Sequence, residues 1–378
     1  MIVWVIAGLL GMATGLRIGW ALVNQQSVVS SAMIVALGSL ALVAVLNWPP
    51  LTLLVDTALR WPNISVGLSQ VALVVSAAGS CVMITSVAST RRPEVTRRLA
   101  IFQYLLAAVI AALTLALFMM GERQPEMSPS EYLSRNLGTP NTALDWLVPL
   151  LYVLLALTLV SWVGIRLSNS SRRGRALFLF TAGIALIVAA SAFVLIRALS
   201  TQAAAYLVGV GTAATLLLCS MAIVAAGALL PSVEDWIGAR RELRLIEPLR
   251  QEMESRHPDI GIGVRPRGPL VYRVAERLSL ISDALYLEGA EAYRKGGGDA
   301  KGMDPPTGIA PADQARAVAR WIGAGSARTD EAFPGRRWLR QPEDCSDREW
   351  ILEIARQYRD VDRQAGEGVS SPAGTGGD

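Results

Sequence analysis

The chain has 378 residues, 52% of them hydrophobic and only 17% charged, and its mean hydropathy of +0.39 is not that of a water-soluble domain. That balance excludes a wholly soluble fold and asks for lipid as solvent. The formal charge of +4 could signal nucleic acid, but the Arg residues gather in short loops between apolar segments, where orienting the protein in a bilayer accounts for them. No nucleic-acid partner is expected.

Seven stretches reach the ~20 mostly apolar residues that a helix needs to cross a hydrocarbon core of roughly 30 Å. They run from Ile2 to Leu22, Val28 to Asn47, Val66 to Ala88, Leu99 to Met120, Leu144 to Ile165, Leu177 to Leu199 and Ala203 to Leu230. The first lacks a basic region before its apolar run, carries Arg17 late and shows no clear small-residue cleavage site. It reads as a retained span and not as a signal peptide. Gly11, Gly15 and Gly19 recur along it every four residues, and Gly8 extends the stripe. Such a face lets another helix approach closely, in this chain or in a second copy, which would make a homo-oligomer. The plainer alternative is that Gly is simply common in membrane helices.

Orientation follows from the Lys and Arg content of the short loops, because basic residues mark the cytoplasmic side. Arg91, Arg92, Arg97 and Arg98 lie between the third and fourth spans, and Arg166, Arg172, Arg173 and Arg175 lie around the connection of the fifth and sixth. Both connections are expected inside. An odd number of spans then puts the N-terminus outside and the C-terminus in the cytoplasm of a cell whose plasma (inner) membrane holds the chain, and Arg240, Arg241 and Arg244 agree. Trp48 and Trp61 flank a segment containing Pro49, Pro50 and Pro62, which is expected on the outer membrane surface, too short and polar to be another span.

Charged residues are sparse up to Leu230 and dense from Glu234 onward, which divides the chain into a seven-helix membrane domain (1–230), a helical cytoplasmic domain (231–363) and a disordered tail (364–378). The fold class is therefore all-α. Ser232, with Asp235 three residues on, predicts a new helix capped just past the membrane, and Pro248 is expected to interrupt it, leaving Leu249 to Arg256 as a separate helix. After a turn-rich stretch, Val271, Val274, Leu278, Ile281 and Leu285 recur at three and four and predict an amphipathic helix from Leu270 to Arg294. Lys295 to Gly308 reads as mobile. Ala312 to Ile322 and Asp347 to Tyr358 predict two more helices.

Several pieces of this domain resemble a family of actinobacterial seven-helix membrane proteins, often labelled transporters. They are an Arg-rich start leading to Glu247-Pro248-Leu249 and Pro258-Asp259-Ile260; Tyr272-Arg273-Val274 with Ile281-Ser282-Asp283-Ala284-Leu285; and Glu349-Trp350-Ile351-Leu352 through Ala355-Arg356. The resemblance covers nearly the whole chain in layout but only these pieces in residues. It implies a seven-helix bundle with a cytoplasmic domain, encoded near helix-turn-helix regulators and small metallopeptidases. The chain departs from the family pattern at Arg250, where a Trp is usual, and at Ser282, where an Arg is usual.

Chemistry-bearing motifs are not apparent. There is no Gly-rich phosphate loop, paired acid and base, or nucleophile with its base, so no catalytic residue is assigned and no enzyme is expected. Asp283 and Glu288 read as solvated or packing residues. Cys81, Cys219 and Cys345 are scattered, and the lone His257 beside Pro258 reads as a helix-end residue, so no metal or cofactor is expected. Within the spans, polar groups are costly and become candidates for function. Arg17 and Arg197 lie near span ends, within reach of water. Gln70, Gln103 and Tyr104 read as contacts between helices ahead of ligand contacts. No carboxylate sits at mid-membrane, which disfavours a proton- or sodium-coupled carrier. The expectation is a sensing or signalling protein whose residues 232–378 meet a cytoplasmic partner; a small-molecule transporter and a prophage-type exclusion protein are the alternatives.

Overall fold

The computed structural model describes residues 2–23, 27–89, 93–121, 123–137, 143–199, 210–260, 270–295, 305–306, 308–327 and 334–369. Helix dominates, and no strand occurs among these residues. Two compact units divide the chain, Met1–Pro231 and Ser232–Asp378.

The first unit contains α1 (Ile2–Val23), α2 (Val28–Leu46), α3 (Pro49–Leu59), α4 (Ile64–Ala88), α5 (Pro93–Met120), α6 (Pro129–Asn136), α7 (Ala143–Leu167) and α8 (Arg172–Leu199), and α9 (Val210–Arg256) begins in it. Among the described residues, six helices are long and apolar enough to cross a membrane: α2, α4, α5, α7, α8 and α9. In α1 the apolar stretch that qualifies, Val3–Gly19, is shorter. The chain is thus a polytopic helical protein, with six such helices where seven spans were expected.

In α4, 61% of the apolar stretch is buried, against 11% in α5, so α4 is the centre of the bundle and α5 presents Ile101, Phe102, Leu105 and Val109 outward. The run Ser76-Ala77-Ala78-Gly79-Ser80 gives α4 a full turn of small residues. A Cβ built on Gly79 would lie 2.8 Å from the Ala36 nitrogen and 3.0 Å from the Ala32 carbonyl oxygen, so the α2 backbone rests directly on this glycine. The Ser76 hydroxyl donates to the Ala36 carbonyl at 2.9 Å across the same contact. Gly183 of α8 and Gly227 of α9 make the reciprocal approach elsewhere, against Val224 and Phe180 respectively. The stripe predicted on α1 does not take part: a Cβ added at Gly8, Gly11, Gly15 or Gly19 meets nothing within 4 Å. Close packing in this unit is carried by isolated glycines among other small residues and not by the regular repeat.

Two short helices were not anticipated. Pro49 and Pro50 open α3, where their missing N–H groups cost nothing, and Arg60 ends it in the left-handed region at φ 53°. The segment expected to lie flat at the membrane surface is therefore helical. Its Asp56, only 3% exposed, accepts from the backbone N–H of Asn63 at 3.1 Å and of Ser65 at 2.9 Å. A carboxylate at a helix N-terminus satisfies orphan donors and complements the dipole. Asn63 in turn donates to the Pro125 carbonyl at 3.0 Å and accepts from the Met127 N–H at 3.1 Å, tying the α5–α6 connection to the start of α4. Ser128 caps α6 by accepting from the Glu131 N–H at 3.3 Å, with Pro129 behind it.

The largest difference from expectation is α9. Neither Pro231 nor Pro248 breaks it; it is one helix of 47 residues, and Ser232 caps nothing. An interior proline costs about 3 kcal/mol, but burying a large aliphatic side chain returns about 1.5–3 kcal/mol. The turns before Pro231 bury Met221, Val224 and Ala228 in the first unit, and those on either side of Pro248 bury Ile246, Leu249 and Met253 in the second. Burial of the turns before Pro231 and on either side of Pro248 offsets the lost hydrogen bonds.

The second unit packs that end of α9 with α10 (Leu270–Lys295), α11 (Pro311–Ala327) and α12 (Asp347–Val369), joined by a 3-10 turn at Arg336–Leu339. Val274, Leu278, Ile281 and Leu285 of α10 are in its core as the periodicity predicts, whereas Val271 is exposed. Ala315, Val318 and Ile322 of α11 and Trp350, Ile354 and Tyr358 of α12 complete it. The capping box expected at Ser232 occurs instead at the start of α12: the Ser346 hydroxyl accepts from the Glu349 N–H at 3.3 Å, and the Ser346 N–H donates to the Glu349 carboxylate at 2.9 Å. Those bonds hold the Glu349 carboxyl below its ordinary range. Helix α12 also reaches Val369, into the stretch expected to be disordered, while 261–269 and most of the 295–308 segment lie outside the described residues.

The contact at Gly79 yields a prediction. Gly79→Val should destabilise the protein in detergent by about 1–3 kcal/mol through overpacking on backbone that cannot move aside, while Gly15→Val on the open α1 stripe should leave the thermal midpoint of a monomer nearly unchanged. Equal midpoints for the two variants in a thermal scan would contradict this assignment of the packing face.

Candidate functional site

Where α2 and α8 end and α4, α7 and α9 begin, their side chains leave a cavity of about 150 Å³. Its wall is mostly apolar, with Trp146, Leu150 and Val153 from α7 and Ala213, Ala214 and Leu217 from α9. Pro149, inside α7, also lines it; its ring leaves one carbonyl of the preceding turn without its helical partner. The polar members are Asn47, Ser69, Gln70, Ser191 and Arg197. Asn47 donates from Nδ2 to the Val43 carbonyl at 2.8 Å and to the Ser69 hydroxyl at 2.9 Å, which holds the end of α2 on the first turns of α4. Arg197 is the one ionisable side chain among the described lining residues, and no carboxylate is among them.

Two of the five polar residues singled out within the spans, Gln70 and Arg197, are thus brought together. The other three are not. Arg17 lies half-buried on α1. Tyr104 packs against the core of the first unit, and the Gln103 side-chain oxygen is buried on α5 with no hydrogen-bond partner among the described residues. Asn47, Ser69 and Ser191 were missed; Asn47 alone carried a signal, as a polar residue closing an apolar run. Of the Arg residues assigned to loops, Arg97 and Arg98 belong to α5 and Arg172, Arg173 and Arg175 to α8. The guanidinium of Arg166 lies 4.5 Å from the Trp162 ring centre at the end of α7, and that of Arg123 lies 4.1 Å from Trp61, pairings suited to a membrane interface.

The second unit holds a polar network around the end of α9. Arg256 donates to Glu252 at 2.7 Å, to Glu288 of α10 at 3.0 Å and to the Ile322 carbonyl of α11 at 2.5 Å, so one guanidinium bridges three helices. His257 Nε2 lies 2.6 Å from the other Glu288 oxygen. Folding thus gives the lone histidine a partner 31 residues away, a contact invisible in the sequence. His257, Glu288 and Glu291 bring one ligand atom each within 4.8 Å of the others. Glu288 is already engaged by Arg256 on one oxygen and His257 on the other, so a cation would have to displace both, and we assign no metal here. Asp283 is exposed, and no catalytic pairing involves it among the described residues.

One turn earlier, Arg250 bonds Glu247 at 2.6 Å and also pairs with Glu254, and Arg277 of α10 reaches Glu247 at 2.7 Å. Arg250 is therefore the hub of a charged network. The Arg250 hydrogen bond, aided by the charges of Arg250 and Arg277, holds the Glu247 carboxyl below its ordinary value of 4.5, while burial opposes the shift.

Compared with family models, curated proteins and solved structures, the chain matches none. What fold and site define is a class: a polytopic helical membrane protein with an apolar cavity in its membrane unit.

Because the folded state lowers the Glu247 pKa, its contribution to stability is fully present above 4.5 and is lost as pH falls through the depressed folded value. Glu247→Gln should therefore shrink the fall in thermal midpoint between about pH 7 and pH 3, measured on the full chain in detergent. An unchanged pH profile would mean that the network does not act on stability.

Proposed function

We propose that the chain is a non-enzymatic sensor of the plasma (inner) membrane, spanning it seven times with its N-terminus outside and residues 232–378 in the cytoplasm. The observation that supports this reading is the course of α9. Its first turns line the cavity with Ala213, Ala214 and Leu217, and its last turns supply Ile246, Leu249 and Met253 to the core of the second unit. A ligand that alters the packing of the first turns acts on a helix whose other end belongs to the signalling unit. This is the kind of two-ended element that coupling requires. The seventh span is α1, whose apolar stretch meets lipid through Trp4, Val5 and Met12.

The output side has a candidate face. Tyr272, Asp283 and Tyr286 share one side of α10, and Tyr286 is 75% exposed. Exposed aromatic residues flanking a carboxylate suit a protein partner. Kinship with the seven-helix family that the Glu247-Pro248-Leu249 and Ile281-Ser282-Asp283 pieces resemble is part of the same proposal. Transport is the second reading, favoured by the cavity itself.

Reporter fusions should find the region near Met127 outside and the regions near Arg173 and Gly298 inside; an active extracytoplasmic reporter at Gly298 would sink the topology. A photo-crosslinker at Tyr286 should trap a discrete partner in cells. Two glycines inserted after Gly238 should change the yield of that adduct, and an unchanged yield would leave α9 with no transmitting role.

A further inference from the structure

We propose that the face of α9 just past its apolar stretch binds the headgroups of anionic phospholipids, so that charge anchors this part of the helix to the membrane surface. The inference rests on the membrane character of the chain and not on the cavity or on what fills it.

This face changes character in order along the helix. Val233, Trp236, Ile237, Arg240, Arg241 and Arg244 follow one another at spacings of three and four within one unbroken helix, which places them on a single side. All six are exposed. None belongs to the core of the second unit, which α9 enters through Ala239, Ile246, Leu249 and Met253. Large apolar side chains on two successive turns, then arginines on the next two, would be a costly surface in water. They are what a helix presents as it passes from hydrocarbon through the headgroup layer.

The contacts agree with that order. The Arg240 guanidinium lies 5.1 Å from the Trp236 ring centre, the pairing that Arg166 makes with Trp162 on α7 and one suited to the interface, where an indole has an apolar and a polar side. Arg241 and Arg244 have no ion pair or hydrogen bond among the described residues. Acidic groups do not cancel the face. The helical repeat turns Asp235 and Glu242 away from it, Glu242 is taken up by Arg348 at 2.5 Å, and Glu234 borders it half-buried. Arg240 lies roughly 10 Å of axis beyond Val233, about one Debye length at physiological salt, and an arginine reaches further along its aliphatic stem. Basic residues immediately past a span attract anionic lipid, and the guanidinium fork matches a phosphate with two parallel hydrogen bonds. A zwitterionic headgroup offers the same phosphate but brings its own ammonium, so the face selects a headgroup with net negative charge.

The test uses the full chain in phosphatidylcholine nanodiscs doped with phosphatidylglycerol that carries a photoreactive group on its headgroup. Adducts are mapped by mass spectrometry, with unlabelled phosphatidylglycerol and phosphatidylcholine compared as competitors. The adduct is expected within residues 233–244, and phosphatidylglycerol should displace it at least about tenfold more readily than phosphatidylcholine. Arg240→Gln, Arg241→Gln and Arg244→Gln together should remove that preference. A control chain with Arg273→Gln, Arg294→Gln and Arg320→Gln, exposed arginines elsewhere in the second unit, loses the same charge and should keep it. Raising salt on the parent chain from about 0.1 M to about 1 M shortens the Debye length from ~10 Å to ~3 Å and should cut the adduct yield severalfold, a readout that serves even where the triple variant does not fold.

An adduct that maps outside 233–244, equal competition by the two lipids, a yield indifferent to salt, or equal loss of preference in the two triple variants overturns the proposal. So does a photoreactive residue in place of Arg244 that traps a protein and not lipid in cells, which would assign the face to a protein partner.

Discussion

The membrane unit depends on one close approach, the seating of α2 on α4 at Gly79. Between helices in lipid there is little hydrophobic gain, since the tails are as apolar as leucine, so association rests on contact distance and on hydrogen bonds. Gly79 lets the Ala32 and Ala36 backbone come to within what a methyl group would occupy, and Ser76 adds a hydrogen bond to the Ala36 carbonyl. Much else follows from that seat. Helix α2 ends where Asn47 reaches Ser69, α3 turns back so that Asp56 caps α4, and Asn63 fastens the next connection. The small face of α4 thus brings together the polar residues at one end of the bundle, and the cavity lies among them.

The second unit is organised by the opposite means. Its core is conventional, large aliphatic side chains from four helices, and its specificity comes from charged bridges that tie α9 to its neighbours. Arg256 alone joins α9, α10 and α11, and Arg348 of α12 reaches Glu242 at 2.5 Å. Bridges of this kind are worth little singly when exposed. Their value here is that each fixes the register of α9 against another helix. The chain therefore uses one helix in two regimes, packed by small residues and glycines in the first unit and by aliphatic knobs and ion pairs in the second.

Much of this was readable from residues alone, and the failures have identifiable causes. The apolar runs located α2, α4, α5, α7 and α8 because length and hydropathy dominate in lipid. The periodicity of Val274, Leu278, Ile281 and Leu285 located α10 and its buried face. Proline was weighed too heavily: Pro231 and Pro248 lower local helix propensity, but burial of the turns before Pro231 and around Pro248 prevails. The regular glycines of α1 make no close approach within the chain, while the denser signal, Ser76 to Ser80, marks where one occurs. Ser128 with Glu131 and Ser346 with Glu349 were legible caps that point to α6 and α12. The cavity was not legible, because it is a void defined by where six helices fail to fill space, and only Gln70 and Arg197 among its polar members stood out in advance. The pairing of His257 with Glu288 likewise needs the fold.

Central to the account is that a change in the cavity reaches the second unit through α9. Amide hydrogen exchange on the full chain in nanodiscs tests this most directly, comparing the parent with Ala190→Leu, in which the cavity is filled without any ligand. The account predicts altered protection both at Ala213 to Leu217 and at Ile246 to Met253, with the neighbouring turns of α10 following. A change confined to residues before Pro231 would contradict it.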